Sequence, residues 1–483
     1  VAQVLINKVK SKCCGIKDLK KNLNTLDVLS VAFGAMIGWG WVVSSGQWIT
    51  SGGVLGTVIG FLIGGLMIYF VGLAYAELTT AMPKSGGVQN FCYAAFGPLG
   101  AFVSTWALIL SYVGVVCFEA VSFPTIIQYI FPGFLKGYLY TVKGFDIYAS
   151  WLVVAIITAA IIVYINIKGT KKAAKLQNIL TCIIAGVGLI LVAGSAFTGN
   201  TDNISQQLFV GDNTISIVEN VAKVAIMTPF FLFGFDVIPQ ATEEINMPLK
   251  RLGRMMILSI AMAVGFYALV VLAIGYVMNG NQMVTSMQGA GLVTADAMAI
   301  AFNSHTMAKV LILGGLCGII TSWNSFLIGG SRVMFAMAKS RMIPSSFAKL
   351  HPVYKTPIVA LLLLGLTSIV APFFGRVMLV WIVDAANFAC CLAYCIVSLA
   401  FVVLRKEKSD MIRPYRVRHG YWVGFMAVFM SGFMAVMYLI PGSSCTLVWQ
   451  EQIIVVGWMV LGVFLGIRGK RLYKDSFASG MDI

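Results

Sequence analysis

The chain has 483 residues, 59% of them hydrophobic and only 11% charged, with a mean hydropathy of +0.89. Soluble globular domains carry about a quarter charged residues, so this composition argues against a soluble enzyme, a nucleic-acid-binding module and a disordered scaffold. The formal net charge of +16 would suit nucleic acid only if gathered on one folded face, yet the 34 Lys and Arg sit in short segments between long apolar runs.

Residues 1–26 read as a cytoplasmic basic tail, with Lys8, Lys10, Lys12, Lys17, Lys20 and Lys21 and no cleavable signal. The tail is a topology determinant first and an anionic-lipid contact second. Twelve apolar spans follow, at about 27–50, 54–80, 99–130, 148–167, 176–198, 217–239, 254–278, 306–338, 357–374, 377–403, 421–441 and 450–467. Each is long enough to cross a hydrocarbon core of about 30 Å as a helix. The chain is therefore expected to be an all-α integral membrane protein with twelve transmembrane helices. With the N-terminus inside, only Lys136, Lys143, Lys223, Lys309 and Arg376 fall outside, and the other 29 of the 34 Lys and Arg fall inside. Basic residues concentrate in cytoplasmic loops, so both termini are expected in the cytoplasm, residues 468–483 forming the second tail. Of ten cysteines only Cys445 falls in an outer loop, and none shows zinc spacing. The outer loop 131–147 has no Cys, so no disulfide-linked heavy chain is expected. No cofactor or nucleic-acid partner is implied, and no Walker motif, nucleophile elbow or other enzyme signature appears.

Two spans are interrupted by glycine beside large aromatics. The first reads Gly34-Ala-Met-Ile37-Gly38-Trp39-Gly40-Trp41, and the sixth reads Pro229-Phe230-Phe231-Leu232-Phe233-Gly234-Phe235-Asp236. Backbone groups freed at mid-membrane survive only where protein or a water-filled cavity satisfies them. Interrupted segments at matching places in two halves point to a transporter's central site. The halves here are residues 27–198 and 217–403, followed by two accessory helices at 421–467.

At these residues the chain resembles the amino acid–polyamine–organocation transporter superfamily. The second span ends Tyr75-Ala-Glu77-Leu, followed by Pro83, Gly86-Gly87 and Ala95-Phe-Gly97-Pro98. The sixth ends Gly234-Phe235-Asp236, then Glu243-Glu244-Ile-Asn246-Met-Pro248. After the eighth come Ser331-Arg332, Pro344, Leu350-His351-Pro352 and Thr356-Pro357. The resemblance implies a five-plus-five inverted-repeat core with broken first and sixth helices and substrate held between the breaks. It implies that amides at Gly38, Trp39 and Gly40, following Ile37, receive a substrate carboxylate. Carbonyls near Phe230, Phe231 and Phe233 would take the ammonium. Phe235, after Gly234, would close over the ligand from outside. Trp39 departs from the family's small residue and either lines the pocket or packs into the neighbouring bundle. Ile184 aligns where some relatives carry a lysine.

Five further residues are candidates for coupling or gating. Glu119 lies deep in the third span, where a carboxylate is costly and usually marks function. It reads as a proton acceptor or as a counter-ion for an amine, with a structural hydrogen bond to a neighbouring helix as the plain alternative. Asp236 either takes part in coupling or fixes the unwound segment. Thr321, Ser322 and Ser325 supply hydroxyls in the eighth span for a sodium ion, although such hydroxyls more often bond their own backbone. Glu77, Glu243 and Glu244 are either gating ion pairs or solvated. The expected function is secondary active transport of small amino acids across the plasma membrane, in a bacterial cell the inner membrane, by alternating access. Proton-coupled symport, sodium coupling and exchange all stand open. The rivals are an amine or polyamine permease of the same fold and a transporter-like sensor or channel.

Overall fold

The computed structural model of the chain describes residues 23–288, 292–443, 445–473 and 478. The basic residues of the N-terminal tail, the Cys13–Cys14 pair and most of the C-terminal tail lie outside the described residues.

Asn24 opens the first helix, α1 (Thr25–Met36), as a capping box. Its side chain accepts from the Leu26 and Asp27 amides at 2.9 and 3.1 Å, and Asp27 Oδ2 accepts from the Asn24 amide at 2.9 Å. The helix stops at Ile37, and the chain resumes as α2 (Gly40–Val43) and α3 (Ser45–Gly52). Next come α4 (Val54–Ala81) and α5 (Gly87–Ile130), the latter kinked at Gly97, whose φ of +70° only glycine adopts readily. A two-stranded hairpin, β1 (Tyr138–Val142) and β2 (Phe145–Tyr148), precedes α6 (Ala149–Ile167) and α7 (Thr170–Thr198). After the short α8 (Thr201–Ser205), α9 (Thr214–Leu232) starts on a box formed by Asn213 and Ser216. It breaks at Phe233–Asp236 and continues as α10 (Val237–Gln240). The second half adds α11 (Leu249–Val277), α12 (Gly280–Gln288), α13 (Val293–Phe302), α14 (His305–Lys339) and α15 (Ile358–Val370). The last three are α16 (Val377–Glu407), α17 (Gly420–Met437) and α18 (Trp449–Tyr473).

Among the described residues eleven helical stretches are long and apolar enough to cross a membrane. The ninth expected span is shorter: α15 is continued by a single 3₁₀ turn, Ala371–Phe374, because Pro372 interrupts the hydrogen-bond ladder. The third span, expected from 99, follows a break at Gly97, whose φ of +70° and ψ of −162° divide Gly87–Ile130 into two helical legs, the longer running on from Pro98.

The spans run between two faces. On the terminal face, where both ends of the described chain lie, the Leu23 amide donates to Glu244 O at 2.9 Å and the Asn246 amide donates to Leu23 O at 2.8 Å. Glu77, fully buried, receives Arg405 at 2.5 Å and Arg413 at 3.0 Å, and Arg332 meets Glu244 at 2.7 Å. Of the two readings of these glutamates, ion pairing is the one observed for Glu77 and Glu244; Glu243 accepts from the Ser85 amide at 3.2 Å. On the opposite face, Val54 and Leu55 donate to carbonyls of Gln207 and Leu208, and Tyr140 donates to Phe373 O.

Candidate functional site: the cavity between two broken helices

In the first break the amides of Gly38, Trp39 and Trp41 find no acceptor among the described residues, while the Trp41 indole donates to Ile37 O at 3.1 Å. Two close approaches hold this segment. A Cβ on Gly318 of α14 would lie 2.7 Å from Gly38 O and against Ile184, and a Cβ on Gly40 would strike the Phe231 ring. Tyr267 of α11 donates to Met36 O at 2.9 Å and so satisfies the last carbonyl of α1.

The sixth break is set by Gly234, whose φ of +143° is open to glycine alone. A side chain there would also press on Ala35, 2.7 Å away. The Gly234 amide donates to Asp236 Oδ1 at 2.9 Å, and Tyr112 donates to Asp236 Oδ2 at 2.9 Å. Asp236 thus fixes the unwound segment, one of its two expected roles. Because the Gly234 amide turns to Asp236, the Phe230 carbonyl loses its helical donor. Among the described residues nothing donates to the carbonyls of Phe230, Phe231 or Phe233. They cluster at the end of a nineteen-residue helix, where the helix dipole favours positive charge.

Glu119 reaches this junction from α5. It is only 2% exposed. Its Oε1 accepts a short hydrogen bond from Ser322, and its Oε2 has no partner among the described residues. A Cβ on Gly38 would lie 3.1 Å from Oε1, so the carboxylate stands directly against the first break. Gly38, Trp39, Gly40, Glu119, Phe230, Phe231, Tyr267 and Ser322 border one cavity of about 20 Å³. That is room for about one water, so nothing larger fits while the walls stand as they do. Toward the opposite face Phe231, which borders the cavity, meets Trp48 with ring centres 4.7 Å apart, and Trp48 meets Phe61 at 4.7 Å and Tyr267 at 5.8 Å.

The other expected residues fall at different distances from this centre. Thr321 donates to Gly34 O at 3.1 Å and Ser325 to Val31 O at 3.1 Å, so both hydroxyls meet the backbone of α1 rather than Glu119. Ile184 packs at Gly318 beside Gly38, the place its alignment implied. The Trp39 ring lies over Gly315 of α14 while the residue still borders the cavity. Phe235 does not border the cavity: it packs between Tyr75 and Tyr394, centroids 5.5 and 5.7 Å away, on the terminal side of the break. Phe233 packs on Phe230 and Phe326, at 5.5 and 5.0 Å. Sequence reasoning missed Tyr267, Tyr112 and Trp48. Tyr267 and Tyr112 carried a faint signal, a hydroxyl in the middle of an apolar span.

The profile of a family described as amino acid permease matches residues 23–465. The chain is 29% identical to the branched-chain amino acid permease BcaP of Bacillus subtilis, over 83% of this chain and 84% of that one. It is 26% identical to the methylthioribose transporter of the same species, over 93% of each. With the human Asc-type amino acid transporter 1 it shares 24% identity, over 83% of this chain and 74% of that one. With a match that spans nearly its whole length, the chain belongs to the amino acid permease family and is a transporter, not an enzyme.

Proposed function

We propose that the protein is a secondary active carrier of small amino acids in the plasma membrane of a bacterial cell, with both termini cytoplasmic. In this reading residues 27–198 and 217–403 are two inverted repeats and substrate sits where their first helices break. One observation carries it: the unpaired amides of Gly38 and Trp39 and the unpaired carbonyls of Phe230 and Phe231 belong to residues that border one cavity. Donors without acceptors suit a carboxylate, and acceptors without donors suit an ammonium. A buried polar group left unmatched costs about 1–3 kcal/mol, so a zwitterion that satisfies both sets recovers several such penalties at once. The narrow cavity and the seating of Phe231 on Gly40 favour a small side chain.

Glu119 supplies the coupling group, either by exchanging a proton with the transport cycle or by joining the ammonium. Alternating access then consists of parting the Phe231–Trp48 closure on one face and the Arg332–Glu244 closure on the other, one at a time. The Thr321 and Ser325 hydroxyls, with the Val31 and Gly34 carbonyls, are the oxygens a sodium ion would need, which keeps sodium coupling as the rival to a proton. A second reading, an amine or other ligand without a carboxylate, rests on the free Oε2 of Glu119 and on the similarity to a methylthioribose transporter.

Proteoliposomes loaded with unlabelled glycine, alanine or serine should draw in the same labelled amino acid by counterflow. A carrier exchanges labelled for unlabelled ligand; a channel or sensor does not. Counterflow with putrescine or methylthioribose and none with any amino acid would replace the amino acid reading.

A further inference from the structure

A second, larger concavity than the cavity between the breaks lies away from them. Between α5, α16 and α18 runs a groove of about 540 Å³, walled by Phe102, Trp106, Phe388, Leu392 and Trp458, with Lys470 at its terminal-face end. Its shape follows from two local features. The kink at Gly97, with Pro98 after it, sets the long leg of α5 at an angle to the residues before it. α18, meanwhile, is held to α5 by a reciprocal clasp. The Trp106 indole donates to Trp458 O at 2.8 Å, the Trp458 indole donates to Trp106 O at 2.9 Å, and the rings stack 4.5 Å apart. Each indole N–H is thereby paired at a depth where an unpaired one would be costly. Gly462 seats the Trp106 ring, and Gly466 keeps the α18 wall thin opposite Phe102. Beyond the clasp the two helices stand apart, and the groove remains between them.

We propose that this groove binds one acyl chain of an anionic phospholipid and that Lys470 holds its phosphate. The walls are apolar nearly throughout, which suits a hydrocarbon chain and excludes a polar solute. The selection for charge comes from the end. Lys470 borders the groove, Arg468 and Arg471 flank it in the last turns of α18, and among the described residues no carboxylate is salt-bridged to any of the three. Basic pockets between membrane helices at such a face recognise anionic headgroups. The site is independent of the cavity between the breaks and of what is transported there.

The test uses the full chain in detergent, titrated with phosphatidylglycerol or with phosphatidylcholine of the same chain length and followed by native mass spectrometry. One phosphatidylglycerol should be retained about fivefold better than phosphatidylcholine, the factor given by about 1 kcal/mol for one basic residue near the headgroup. Lys470→Ala should bring that ratio close to one. Val463 is 60% exposed on the groove wall, so Val463→Trp fills the groove without touching the packed core and should reduce retention of both lipids. Equal retention of the two lipids by the parent protein would overturn the proposal, as would a preference that survives Lys470→Ala. So would a dimer cross-linked through Val463→Cys, since a second copy would then cover the groove.

Discussion

Replacing Glu119 by glutamine separates the roles open to this carboxylate. In the folded protein Oε1 accepts from Ser322 and Oε2 has no partner among the described residues. The glutamine carbonyl still accepts from Ser322, so the exchange leaves the packing and the bond that anchors the side chain in place. The change falls on a cationic ligand. A hydrogen bond to a charged group contributes about 1.5–3 kcal/mol and a neutral one about 0.5–1.5; the difference of about 1.2 kcal/mol is roughly eightfold in dissociation constant. If Glu119 meets the substrate ammonium, Glu119→Gln should weaken binding about eightfold, measured by ligand-induced thermal shift and by half-saturation of counterflow. If it carries the coupling proton, binding and counterflow should persist while accumulation against a gradient disappears in proteoliposomes with an imposed pH difference. A Glu119→Gln protein that concentrates substrate like the parent, with the same pH profile, would refute both roles and leave the residue a structural partner of Ser322.

Phe230→Ala and Phe235→Ala should part company. Phe230 borders the cavity, so its loss should reduce substrate affinity; Phe235 is a buried wedge between two tyrosines, so its loss should cost about 3–5 kcal/mol of stability with a near-normal half-saturation constant in whatever protein remains folded. Equal effects on affinity would return Phe235 to the gate expected of it. Trp39→Ser empties the space over Gly315 and joins it to the cavity, so uptake of leucine-sized substrates should rise; an unchanged substrate range at equal protein amount would reduce Trp39 to a packing residue. Glu244→Gln leaves Arg332 buried without its counter-charge, a loss of about 3–5 kcal/mol. The thermal midpoint should fall sharply in that variant and recover in part when Arg332→Met is added; no recovery would mean the pair is not the source.

Much of the architecture was legible because a membrane span is a statement about composition over twenty residues, and composition survives errors of detail. The breaks were legible for a similar reason: Gly38 and Gly40, and Gly234 after three phenylalanines, are where an apolar helix lacks the means to continue. What escaped was conformation that depends on one torsion or one neighbour. The expected span from 99 finds the boundary at Gly97-Pro98 but not the helical leg from Gly87 that leads into it. The segment 131–147, expected as an outer loop, hides a hairpin turned by Lys143 and Gly144, both at positive φ as a two-residue turn requires. Glu119 was conspicuous as a charge in the membrane, but its partner Ser322 lies some two hundred positions away, and no local pattern joins them. Phe235 stood in the right motif; which side of the break its ring faces is decided by Tyr75 and Tyr394, from two other helices.

The backbone pairing of Leu23 with Glu244 and Asn246 has a mechanical consequence. It rivets the entrance of α1 to the exit of the sixth span's inner leg, and through Glu244 the same joint grips Arg332 on α14. Two main-chain bonds of about 0.5–1.5 kcal/mol each are too few to hold a membrane protein shut. In the alternating-access cycle proposed above they would couple the start of α1 to the segment that follows α10. A tilt of α1 in that proposed cycle would carry residues 237–246 with it and would bend the chain at the unwound turns, where the Gly38 and Trp39 amides and the Phe230 and Phe231 carbonyls have no helical partner among the described residues. On that proposal, movement at the terminal face would reach the very backbone groups that border the cavity.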